Sequence, residues 1–157
     1  MNGNARNLLG GALAGAAGTT ALNAVTYLDM AVRGRPASST PQDTVKALAD
    51  RVGVSVPGDE QTRQNRLAGL GPLTGIAAGV AVGAALGALR ALGCRPGLLT
   101  GAAAAAGAAM VGANGPMALV GTTDPRTWSA TAWVSDVVPH LAYGAVTQWV
   151  AQGLDPR

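Results

Sequence analysis

Four stretches of this chain carry no Asp, Glu, Lys or Arg at all: Asn7 to Leu28, Leu67 to Leu89, Pro96 to Thr123 and Val137 to Leu154. Each is close to the roughly 20 residues that a helix, rising about 1.5 Å per residue, needs to cross about 30 Å of hydrocarbon. Four such blocks separated by charged connectors predict an all-α membrane protein, a four-helix transmembrane bundle. The expected helices cover about 8–32, 66–91, 97–120 and 130–152 of a single integral membrane domain, 1–157, with a polar loop at 36–65.

Composition favours lipid over water. Charged residues make up 12% of the chain, against roughly a quarter of an ordinary soluble protein, and they sit between the apolar blocks. The mean hydropathy is only +0.26 because those blocks are built from Ala and Gly rather than Leu, Ile and Phe. An Ala- and Gly-rich soluble chain is the competing reading, and the segregation of charge argues against it.

Within the second block, Gly71, Gly75, Gly79, Gly83 and Gly87 recur at every fourth position. In lipid, helices gain nothing by hiding apolar surface from water, so small residues at this spacing let backbones approach and supply dispersion and Cα–H···O contacts. The pattern reads as a glycine zipper. It spans about 24 Å, and each four-residue step rotates about 40° around the helix, so the strip winds slowly. Gly93, Cys94, Arg95 and Pro96 make a tight return, so the Ala-rich third helix is the expected antiparallel neighbour of the second. Beyond the lipid bilayer, a second copy of the chain or another membrane protein is the partner such a strip suits.

The connectors carry their own signals. Gly11, Gly15 and Gly18 give the first helix a shorter small-residue face, and Arg33, Gly34, Arg35 and Pro36 end it. Ser39 or Thr40 can cap a short helix with Pro41 in its first turn, and Val45, Leu48, Ala49 and Val52 then recur on one face. An amphipathic helix lying on the membrane is expected in the first loop. Asp59, Glu60 and Gln61 begin a polar turn leading into the second crossing, and Pro72 lies in that crossing's first turns. Asn114, Gly115 and Pro116 either break the third helix, exposing backbone groups to a cavity, or follow a helix that ends near Ala113.

The formal charge of +3 does not point to nucleic acid, since Lys46 and ten dispersed arginines form no basic run and no aromatic stacking platform exists. Arginines flanking the apolar blocks suit headgroups instead, and Trp128, Trp133 and Trp149 suit the aromatic belts. Placing the 36–65 loop inside puts Arg33, Arg35, Lys46, Arg51, Arg63, Arg66 and Arg126 on the inner side, against Arg6, Arg90, Arg95 and Arg157 outside. That bias predicts cytoplasmic loops, with both termini outside. Cys94 is the only cysteine, so no intrachain disulfide is possible and cysteine usage does not reveal the redox compartment.

Candidate chemistry is confined to two polar stripes. Asp136, His140, Tyr143 and Thr147 fall at offsets of zero, four, seven and eleven, on one helical face. An acid and an imidazole one turn apart inside a membrane segment suit proton relay or pH sensing. The competing reading makes Ser135 or Asp136 a helix cap, with Pro139 in the first turn and His140 near the interface. In the first helix Thr19, Asn23 and Thr26 form a second stripe ending near Asp29, which also has Arg33 four residues on. These side chains either face Asp136 and His140 across the bundle or bond between helices and to their own carbonyls. One histidine builds no multi-histidine metal site, no G-x-x-x-x-G-K-[ST] phosphate loop occurs, and no nucleophile, base and orienter come together. Neither a cofactor nor an enzyme activity is expected.

The segment Asp124-Pro125-Arg126-Thr127-Trp128, followed by Trp133, Asp136 and Pro139-His140-Leu141-Ala142-Tyr143-Gly144, resembles a group of uncharacterised actinobacterial membrane proteins. Together with Gly11 to Leu22, it distantly resembles the YagU-like inner-membrane family. That resemblance implies a bacterial cytoplasmic (inner) membrane location and a role in acid tolerance, and it carries over no catalytic residue. The expected function is therefore an envelope or permeation role linked to protons through Asp136 and His140. The alternative is a non-transporting scaffold or assembly factor for another membrane protein.

Overall fold

The computed structural model describes residues 2–155. Arg157, counted above among the outer basic residues, lies outside them. Every regular element among the described residues is helical: α1 (Gly3–Arg33), α2 (Thr40–Arg51), α3 (Glu60–Ala91), α4 (Leu98–Leu119), a single 3-10 turn (Pro125–Thr127) and α5 (Ala130–Gly153). Three helices, α1, α3 and α4, are long and apolar enough to cross a membrane. The 24-residue α5 is about 36 Å long and carries a polar face that lowers its apolarity.

Local chemistry explains where the helices begin and end. Asn2 caps α1 by accepting a bond from Ala5 N at 2.9 Å, so the helix starts ahead of the charge-free block. It stops at Gly34, whose φ of 61° and bond to Met30 O form a left-handed cap. Ser39 stands at the N-cap of α2, with Pro41 in the first turn. Asp59 accepts from Thr62 N at 2.8 Å and starts α3 directly on the polar turn, so the helix is longer than its charge-free block.

Two alternatives raised by the sequence are corrected here. The third long helix neither breaks at Asn114 nor ends at Ala113; α4 continues to Leu119 and gives way at Gly121, with φ 81°. Pro116 deletes only one backbone bond, and Asn114 turns its side chain to α5 rather than to its own backbone. Nor do Ser135 and Asp136 cap α5. Ser129 does, accepting from Ala132 N at 3.2 Å, so Asp136 and Pro139 lie inside the helix.

The four long helices run antiparallel to their neighbours in the cyclic order α1, α3, α4, α5. The largest interface joins α1 to α3, while α5 packs along both α1 and α4. Contact between α3 and α4, joined by the tight turn, is the smallest of the four, contrary to the pairing expected from chain adjacency. The glycine strip faces α1 instead. A Cβ on Gly83 would lie 2.5 Å from Gly15 Cα and 2.7 Å from Gly15 N; one on Gly11 would meet Gly87 Cα at 2.7 Å. Carbonyls of each helix occupy the places where the other's side chains would be: Gly83 O at Gly11, Gly79 O at Gly15, Gly11 O at Gly83 and Asn7 O at Gly87. These are the contacts of two backbones that meet through Cα–H groups.

The strip winds as a four-residue repeat must. Gly79, Gly83 and Gly87 lie on the α1 seam, Gly71 has rotated toward α2, where a Cβ would sit 3.0 Å from Gln42 N, and Gly75 faces open space. Buried apolar residues are mostly small, chiefly Ala14, Ala105, Ala106 and Ala109, with Tyr143 and Leu67 the large exceptions among the described residues. Large apolar side chains point outward instead: Leu13, Leu28, Leu99, Val111, Leu119 and Trp149 are all exposed. Such an outer surface suits hydrocarbon and is rare on a water-soluble monomer.

Candidate functional site: the polar face of α5

Because α5 starts at Ser129, the 3.6-residue repeat turns Asp136, His140, Tyr143 and Thr147 inward together. His140 is 6% exposed, Thr147 1% and Tyr143 not at all, and the Asp136 side chain is largely covered. The structure thus brings the first polar stripe into the interior, between α1, α3 and α4.

At the end nearer the loops, Asp136 Oδ2 accepts from Asn114 Nδ2 of α4 at 2.9 Å. His140 Nδ1 lies 2.7 Å from the Asp136 backbone carbonyl. A carbonyl oxygen only accepts, so Nδ1 carries a proton and donates it to that carbonyl. Asp136 Oδ1 stands 3.6 Å from Nδ1, close enough for charge attraction and too far for a hydrogen bond. An imidazole with a fixed tautomer and a carboxylate with a fixed rotamer are therefore held one turn apart.

Pro139 contributes by what it lacks. It has no amide hydrogen, so the carbonyl of Ser135 loses its helical donor. Ser135 and Pro139 line a small cleft of about 80 Å³ with Val25, Asp29, Val134 and Val138. Arg33 spans its mouth, donating to Ser135 Oγ at 2.7 Å and to Asp29 Oδ1 at 3.2 Å, while Arg35 Nε reaches Asp29 Oδ2 at 2.5 Å. Asp29 is thus an ion-pair anchor at the end of α1, near the α5 stripe and not bonded to it. Asn23 is half-buried on α1, and among the described residues its side chain forms no hydrogen bond with Asp136 or His140. Thr19 bonds back to Gly15 O at 2.8 Å, the self-satisfied alternative for that stripe.

Deeper in lies Tyr143, fully buried. Its hydroxyl donates to Gly79 O at 2.6 Å, and its ring lies where a Cβ on Gly18 would stand 2.9 Å from Cδ2. Among the described residues Thr147 Oγ1 has no hydrogen-bond partner, and it occupies the space of the absent Gly18 side chain. A Cα–H···O contact from Gly18 is the weak compensation that position allows. Beyond it, Gln148 and Arg90 complete the polar column, with Arg90 Nη1 donating to Gln148 Oε1 at 3.2 Å.

Asn114, Ser135, Gln148, Arg90 and Asp155 were not among the expected site residues. The polar face of α5 continues one residue past Thr147 to Gln148, which periodicity reveals. The partners on other helices have no such signal. Trp128 and Trp133 meet edge to face, centroids 5.0 Å apart, near the loop end, and Trp149 is exposed near the opposite end. No protein-family model, curated protein or solved structure matches this chain.

Proposed function

We propose that this chain is a multi-pass protein of the bacterial cytoplasmic membrane, a four-helix transmembrane bundle held by a glycine zipper, that works through a proton-linked site at Asp136 and His140. The observation that carries the reading is a largely covered carboxylate beside a buried imidazole, fixed by Asn114 and by the helix carbonyl of Asp136, inside a molecule whose outer surface is apolar. Ionisable groups withdrawn from water are costly unless they have a use, and such groups inside membrane segments commonly form relays or sensors. Charged neighbours from α1 are Asp29 and Arg33, at the cleft mouth.

Lys46 and the arginines of the loop end outnumber those of the opposite end, which orients the site toward the cytoplasm. Tyr143 then separates a cytoplasmic half-path from the outer half. A permeation or acid-response role agrees with this arrangement and with the resemblance to the YagU-like family. Proton flux into proteoliposomes tests it: flux should rise as pH falls and drop toward the empty-vesicle level in His140→Ala. Wild-type flux equal to that of empty vesicles removes the transport claim.

A second reading, a scaffold for another membrane protein or for a second copy, rests on the part of the strip that is unused. Gly75 is exposed, with nothing within 4 Å of its Cβ position. Purification in mild detergent separates the two, since a stoichiometric foreign partner supports the scaffold.

A further inference from the structure

Arg90 is the one Arg, Lys, Asp or Glu among the described residues that is buried, at 6% exposure. It stands in the last turn of α3, and all of its side-chain partners belong to α5 or the residues just beyond. Nη2 donates to Asp155 Oδ2 at 2.7 Å, Nε to Asp155 Oδ1 at 3.4 Å and Nη1 to Gln148 Oε1 at 3.2 Å. Gln148 in turn donates to Pro96 O at 2.8 Å, in the turn between α3 and α4. Gly101 makes the room, because the Gln148 amide fills the place of its missing side chain. One guanidinium thus ties the end of α5 to α3 and to the adjoining turn.

This arrangement depends on a negative charge at Asp155. A buried guanidinium is tolerated when a carboxylate faces it, and a neutral carboxyl would leave it with amide and carbonyl dipoles alone. The groups that face Asp155 are Arg90 from α3 and Arg95 from the turn; Gln148 and Gln152 of α5 do not titrate. At this end α1 meets α5 through Gly10, against Leu154, and α4 meets it through Gly101.

We propose that Arg90 and Asp155 form a proton-releasable clasp: protonation of Asp155 frees the end of α5 from α3 and admits water to Gln148 and Thr147, on the far side of Tyr143 from His140. The water-admission step rests on the proton-linked reading of the α5 face; the clasp itself does not. The Arg90 hydrogen bond, then the charges of Arg90 and Arg95, hold the Asp155 carboxyl below its ordinary range against the opposing effect of burial. A lowered folded value means the clasp is intact above the ordinary carboxylate range, about pH 4, and is lost as pH falls through the folded value.

The test uses the full chain in lipid nanodiscs, with spin labels at Leu92→Cys and Gly153→Cys in a Cys94→Ser background. Both sites are exposed, one at each side of the clasp. The expected result is a single narrow distance at about pH 7 and a longer, broader population that grows below about pH 4 and reverses on neutralisation. Asp155→Asn should show the longer population already at neutral pH, and Asp155→Glu should keep the pH response. A wild-type distribution unchanged down to about pH 2 overturns the clasp, as does Asp155→Asn holding the wild-type distance. If Asp155→Asn fails to insert, the wild-type titration decides alone. Opening without any proton flux sinks the proton-linked reading and keeps the clasp; flux without opening does the reverse.

Discussion

The two faces of α1 are built from opposite materials. Toward α3 it presents Gly11 and Gly15, and the contact is backbone on backbone, with carbonyls lodged where side chains would be. Toward α5 it presents Gly18 as the floor beneath Tyr143 and Thr147, and Arg33 as a bond to Ser135. The first interface has almost no side chains to rearrange and no titratable group. The second is made of hydroxyls and of a charged side chain bonded across the interface. One helix therefore joins a pair packed through backbone to one bonded through side chains.

Overfilling the seam should give the largest effect. Gly83→Leu places atoms where Gly15 already stands, 2.5 Å from the first of them, so the helices must separate. A loss of about 3 kcal/mol or more is expected, read from unfolding in detergent micelles. An unchanged transition would mean that the two helices are not held through this seam.

Removing a hydroxyl from the other face should cost less. Tyr143→Phe keeps the ring on its glycine floor and deletes the bond to Gly79 O, leaving that carbonyl only its helical donor. About 1 kcal/mol is expected by the same measurement, in line with hydrogen bonds between membrane helices. A cost equal to that of Gly83→Leu would erase the distinction between the two interfaces. The smallest effect belongs to Gly75→Leu, on the same strip but facing open space, where a change within about 0.5 kcal/mol should leave the monomer's stability as it was. Loss of self-association in that variant, with folding intact, would assign the unused glycine to a partner.

Sequence reasoning read the helices well because their signals are local. Charge-free blocks bounded by arginines mark apolar helices wherever they pack, and the inward stripe of Asp136, His140, Tyr143 and Thr147 follows from helical spacing alone. Partner choice was less legible. Both glycine faces, Gly11 to Gly18 and Gly71 to Gly87, stand out in the sequence, yet the short turn at Gly93 to Pro96 pointed the strip toward α4. A tight turn fixes the direction of two helices but not the area they share, which depends on whether their surfaces fit. Alanine methyls keep α4 at a distance that the glycines of α1 do not.

Helix limits failed where a side chain found a distant partner. Asn114 reads as a breaker because it commonly bonds its own backbone, and here Asp136 takes that bond across the interface. Ser135 and Asp136 read as caps for the same reason, while Ser129 supplies the actual cap. The Arg90 cluster was invisible because its members lie 58 and 65 residues apart, and an arginine beside an apolar block is normally a headgroup anchor.

Pro72, Pro116 and Pro139 stand inside α3, α4 and α5. Each deletes one rung of its helix ladder, and all three lie between the level of Tyr143 and the loop end. Three of the four long helices thus have a weak joint on the same side of the molecule, while the unbroken α1 has none. The loop-side halves of α3, α4 and α5 are therefore held by one backbone bond fewer each, while the glycine seam at the opposite end keeps its full ladder.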